Sequence, residues 1–163
     1  MADSPLAPGM LRKRASRLLA VQALYGTSLE PESPLPMVEH LIALAMDFYK
    51  DPTEGLESVL ATRPNNTLLR QVLEGVMTHR DTLDGMIAGA LESQHRPERL
   101  LAVQRAVLYC AAYELAMLQE TPSRAIVNEY VTLAHMFMEP EEAGLLNGIL
   151  NRLARELRST DFV

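Results

Sequence analysis

Between Pro97 and Pro122 the chain reads PERLLAVQRAVLYCAAYELAMLQETP, with apolar residues on nearly every side of a helix instead of along one stripe. A helix that is apolar all round is buried all round, so other elements must surround it. Those elements are helices too. β-Branched residues never form an alternating run, Leu, Ala and Met dominate, and aromatic residues make up only 5% of the chain. A chain of 163 residues suits one domain, and at this size roughly 70% of the unfolded surface is buried on folding. The expected fold is all-α, one domain over residues 1–163 with about seven helices. Residues 1–9 are expected to form a flexible N-terminal arm.

Proline, glycine and asparagine divide the remainder into helix-length pieces. The first helix is expected from about Met10 to Thr27, ended by the three prolines of SLEPESPLP, and a second over MVEHLIALAMDFYK. Residues 51–66 read as a connector with one short helix around Leu56–Ala61. Asn65 or Asn66 is suited to cap the next stretch, which is long enough to bend or break near Thr78–Asp81, with Asp81 a candidate cap. Pro97 opens the central helix, Pro122 the next, and Glu139-Pro140 precedes the last, where Arg152, Arg155 and Arg158 complement the C-terminal dipole. Cys110, the one cysteine, excludes an internal disulfide and reads as a small buried hydrophobe in a reducing compartment. No stretch reaches the ~18 apolar residues of a membrane span, and the N-terminus lacks an apolar signal core. The expectation is a soluble, cytoplasmic protein.

Charge is distributed against this background in an unusual way. The net charge is -6, yet RKRASR at 12–17 gathers four cations at the start of the first helix. At about 100° per residue, Lys13, Arg14 and Arg17 share an arc of roughly 100°, while Leu11, Ala15, Leu18 and Tyr25 gather on another side expected to face the core. Cations at a helix N-terminus oppose the macrodipole, so helix energetics do not account for them. A polyanion would, because each neutralised phosphate releases condensed counterions. A solvated basic end is the competing explanation.

Other chemistry has little support. His40, His79, His95 and His135 are dispersed and unpaired at metal-ligand spacing, and nucleotide-cradling or serine-hydrolase motifs are absent from the sequence. No acid–base pair or nucleophile is placed for catalysis, so neither an enzyme nor a cofactor is expected. Gln22 projects onto the apolar face of the first helix, where its amide is expected to be partly buried and hydrogen-bonded. Asn147-Gly148 interrupts a helical pattern in LLNGIL. Gly148 is expected to permit close helix approach, and Asn147 to cap, crosslink or reach a ligand.

Taken in order, KRASRLLAVQALY, LLRQVLEGVMTHRDTLDGMI, RAVLYCAAYEL, P-x4-VNEYVTLAHMF and LLNGIL resemble the NusB family of bacterial transcription antitermination factors. The matches span most of residues 12–153, with 28–64 poorly matched. The resemblance implies two small helical bundles packed together. It implies binding to the boxA element of ribosomal RNA leader transcripts, as a heterodimer with ribosomal protein NusE, within an RNA polymerase complex containing other Nus factors. It implies no enzyme activity, no cofactor and no membrane, and leaves a homodimer open.

Carried onto this chain, the family's arginine-rich motif falls on Arg12, Lys13, Arg14 and Arg17, which would contact RNA. Tyr25, Glu74 and Asp81 fall where the protein partner is expected. A lysine and a phenylalanine that help hold RNA in the family are here Gly144 and Leu145, and a usual arginine is Tyr109. These departures remove a cation and an aromatic platform. Leu145 remains the position at which a base would be touched. Two alternatives follow: a NusB-like protein-interaction module, homodimeric or not, that has lost RNA binding, and the helical domain of an RNA cytosine methyltransferase. For the second, catalysis is not expected here, because the chain has no room for a cofactor-binding sheet and no Gly-rich strand–turn–helix.

Overall fold

The computed structural model describes residues 7–25, 39, 42–43, 63–91 and 99–162. Among them are six α-helices, α1 (Pro8–Tyr25), α2 (Asn66–Thr78), α3 (Arg80–Ala90), α4 (Ala102–Met117), α5 (Ser123–Phe137) and α6 (Pro140–Leu157), then a 3₁₀ turn at Ser159–Phe162. No strand occurs among the described residues, and the all-α expectation holds. The helix expected over 37–50 falls outside the described residues except at Glu39, Ile42 and Ala43, which are helical. The expected short helix at Leu56–Ala61 lies outside them altogether.

The apolar run behaves as its composition dictates. α4 packs against each of the other five helices, and ten of its residues are buried, Cys110 included. Helix boundaries follow local chemistry. α1 starts at Pro8, two residues earlier than expected, because a proline has no amide to leave unsatisfied in the first turn. Asn65 caps α2, its side chain accepting from the Leu68 amide at 3.1 Å. The long stretch breaks at His79, and Asp81 lies in the first turn of α3 without capping it. Pro122 and Glu139 are the residues flanking the starts of α5 and α6.

The expected close approach at Gly148 is corrected, and Asn147 and two arginines of α6 have partners that their sequence positions do not show. Gly148 and Gly144 are exposed, with open space where a Cβ would stand. The close approach is at Gly75, where an added Cβ would sit 2.1 Å from the Tyr113 ring, so α2 lies almost directly on α4. Asn147 is exposed too, its side-chain and main-chain oxygens accepting from Asn151 Nδ2 at 2.8 and 2.9 Å. Two arginines of α6 serve helices other than their own. Arg152 donates to the Ala90 carbonyl that ends α3, at 2.8 Å. Arg158, buried, donates to the carbonyls of Glu114, Leu115, Leu118 and Thr121 around the end of α4. Orphan carbonyls at a helix C-terminus need such donors.

Candidate nucleic-acid interface

The four cations of α1 divide between surface and interior. Arg12 is exposed and leans on the carbonyls of Arg63 and Pro64, 3.4 and 3.5 Å away. Lys13 is exposed, and among the described residues no carboxylate pairs with it. Arg14 is half-buried and holds Glu129 of α5 with two hydrogen bonds of 2.9 and 2.8 Å. Those bonds raise its pKa further above the ordinary arginine value. Arg17 is only 4% exposed. Its guanidinium donates to both oxygens of Glu114 at 2.8 and 2.9 Å, and its charge lies 6.0 Å from the centre of the Tyr130 ring.

Arg17 is therefore not a surface cation in this fold, which corrects the expectation of a direct contact with RNA. The arc shared by Arg14 and Arg17 faces α4 and α5, and the charges that favour it are carboxylates of the same chain. Burial alone would lower the pKa of the Arg17 guanidinium; Glu114 more than offsets this and raises it. Tyr130, fully buried, completes the network by donating its hydroxyl to Glu114. Burial first, and the charge of Glu114 second, push that phenol well above its ordinary value and keep it neutral. The same two causes, in the same order, hold the Cys110 thiol protonated. Glu114, Glu129 and Tyr130 were not among the expected site residues. A readable signal existed for Glu114, a lone carboxylate in an apolar run, because buried charges are almost always paired.

The outward end of α1 stands over this network and is tied to the start of α2. Ser16 donates to the Arg12 and Asn65 carbonyls at 3.0 and 2.8 Å, and the Asn65 amide donates to the Arg12 carbonyl at 3.3 Å. Lys13 lines two clefts, of about 310 and 440 Å³. One lies between α1, the start of α2 and the end of α4; the other faces α5.

The remaining candidates lie elsewhere. Leu145 is partly buried against the core. Its end of α6 is located by Gln104 of α4, which donates to the Glu142 carbonyl at 3.2 Å. Gln104 and the Arg17 partner Glu114 are separated by about 15 Å of helix, so Leu145 is not part of the cation cluster. Tyr25 is 57% exposed and does not join the core face expected for it. It lines a small cleft with Val21, Gln22 and Val103. Among the described residues no hydrogen bond reaches the buried Gln22 Oε1, contrary to expectation.

Glu74 is half-buried on α2, close enough to Tyr113 for its charge to help raise that phenol's pKa, after burial. Asp81 is exposed in a polar cleft at the α2–α3 junction, lined also by His79, Arg80 and Asp84. Behind it, Tyr109 donates to Asp84 and lies under the Arg80 guanidinium at 6.0 Å. Among the described residues, no hydrogen bond or ion pair joins Tyr25, Glu74 and Asp81. No three His, Cys, Asp or Glu side chains converge on a metal-sized site among the described residues. No described helix is long and apolar enough to cross a membrane.

Comparison with known proteins meets this geometry at the sequence and fold levels. The profile of the NusB family matches residues 14–155. Transcription antitermination protein NusB of Rhodopseudomonas palustris (strain HaA2) is 33% identical over 151 residues, 93% of this chain and 86% of that protein. Its counterpart in Granulibacter bethesdensis is 33% identical over 150 residues, 92% of this chain and 91% of that one. A solved structure of T. maritima NusB superposes with a TM-score of 0.62 at 23% identity, covering 99% of both chains, and carries the likeness of fold.

Proposed function

This chain belongs to the NusB family, and from that premise we propose that it acts in transcription antitermination by binding boxA RNA of ribosomal RNA leader transcripts together with ribosomal protein NusE. The observation that carries the reading is the outward pair Arg12 and Lys13, set on a helix end fastened from beneath. The Arg17–Glu114–Tyr130 network and the Arg14–Glu129 pair fix α1 against α4 and α5. Lys13, in no ion pair among the described residues, is left to face a polyanion. Phosphate contacts of this kind supply affinity and register. The family is one of transcription factors acting on RNA, not of enzymes, and action in the cytoplasm beside RNA polymerase and other Nus factors is part of the same proposal.

NusE has a definite part in this account. With a net charge of -6 and two of the four α1 cations spent on internal carboxylates, the chain alone presents a small basic face. A basic partner adds phosphate contacts and raises affinity by linkage. The exposed Tyr25, with Glu74 and Asp81, is proposed as its landing surface. In a titration of boxA RNA, the chain with NusE should bind more tightly than either protein alone. Equal RNA affinity with and without NusE contradicts the heterodimer. The internal neutralisation of Arg14 and Arg17 also favours a second reading, a protein-interaction module without RNA binding. Failure of both the chain and its NusE complex to bind boxA RNA would establish that reading instead.

A further inference from the structure

The turn between α4 and α5 places an unpaired carboxylate beside the proposed phosphate-binding lysine. Lys13, Glu120 and Thr121 line both clefts described above. Among the described residues Glu120 has no ion-pair partner and is exposed. A carboxylate there repels phosphate, so it does not serve the backbone of an RNA strand. It suits the edge of a base, where amino and imino N–H groups need an acceptor.

The rest of the turn is built to hold the main chain on either side of Glu120 in place. Arg158, buried beneath it, donates to carbonyls on both sides, Leu118 and Thr121, and to the end of α4. Gln119 folds back onto the Leu115 and Ala116 carbonyls at 3.2 and 3.0 Å. Met117, 40% exposed, supplies an apolar, polarisable wall to the first cleft, and thioether sulfur makes favourable contacts with aromatic rings. Cation, apolar wall and acceptor are thus collected within one cleft of about 310 Å³.

We propose that the Lys13–Met117–Glu120 cleft is a base-reading seat for single-stranded RNA, in which the backbone lies on Lys13 and Glu120 selects guanine. Guanine is the natural fit because its Watson–Crick edge carries adjacent N1–H and N2–H donors, one for each carboxylate oxygen. Cytosine and adenine offer one amino group, and uracil a single imino donor between two repelling oxygens. This inference rests on the RNA reading of the α1 face given above.

The test uses four uridine octamers whose one central nucleotide is U, C, A or G, titrated by fluorescence anisotropy into the full chain at two salt concentrations. The guanosine octamer should bind about tenfold more tightly than all-uridine, the selectivity of one bidentate pair. Glu120→Gln should reduce that preference to about twofold and leave the salt slope unchanged, since no phosphate contact is lost. Lys13→Ala should weaken all four octamers alike and flatten the slope. Absence of a guanosine preference in the unmodified chain overturns the seat. So does a Glu120→Gln chain that binds every octamer more tightly with its preference intact, because the carboxylate is then only a repulsive charge. If Lys13→Ala changes neither affinity nor slope, or if the unmodified chain binds no octamer, the RNA reading of this face fails and the seat fails with it.

Discussion

Arg17 and Lys13 are four positions apart on one helix and carry the same charge, yet they do opposite work. Removing one partner of a buried pair leaves the other charge unpaired, at a cost of about 3–5 kcal/mol. Arg17→Met should lower the free energy of unfolding in urea by that amount, because Glu114 and the Tyr130 hydroxyl remain inside without their cation. Lys13→Ala, at an exposed site, should stay within about 0.5 kcal/mol of the parent chain. Equal stability of the two variants contradicts the division. The macrodipole does not explain these cations, and sequence alone points to an anion outside the protein. For Arg14 and Arg17 the anion is internal. Helical projection shows which residues share a side, while the direction that side faces is fixed by how α1 lands on α4 and α5.

At the scale of the element, capping and punctuation were legible because they depend on neighbours in sequence. Asn65 caps α2, the helix breaks near Thr78–Asp81, and the apolar run is the central helix. Contacts between elements were harder to read. The Asn-Gly pair in α6 suggested a close helix crossing, yet Gly148 faces open space and Gly75, within an ordinary stretch of α2, lies against Tyr113. These two glycines make opposite predictions from the same substitution. Gly75→Ala gains about 1 kcal/mol in helix propensity, but its Cβ would meet an aromatic ring also stacked on His79 at 6.5 Å, and overpacking costs about 1–3 kcal/mol. The variant should have a lower thermal midpoint than the parent, whereas Gly148→Ala should have a higher one. A stabilised Gly75→Ala would mean that α2 does not rest on Tyr113. The arginines of α6 follow the same logic. Their fit to a helix dipole was visible, but Arg152 and Arg158 satisfy the C-termini of α3 and α4, which sequence position does not reveal.

For the whole molecule, fold class and family were legible from ordered motifs across the chain, while the extent of the basic face was not. Counting charges in RKRASR gives four cations; the folded chain presents Arg12 and Lys13 outward and places Arg14 and Arg17 against Glu129 and Glu114. In the proposed function the outward pair holds RNA phosphates on an acidic protein. The direct measurement is the dependence of boxA RNA affinity on salt, compared between the parent chain and the Arg12→Ala/Lys13→Ala double variant. Each lost contact to a single strand should reduce the slope of log K against log salt by about 0.7, so the double variant should be shallower by about 1.4. Both proteins should unfold at similar urea concentrations, since neither side chain supports the core. A double variant with the parent's slope would contradict the account, because the phosphates would then be held by other residues.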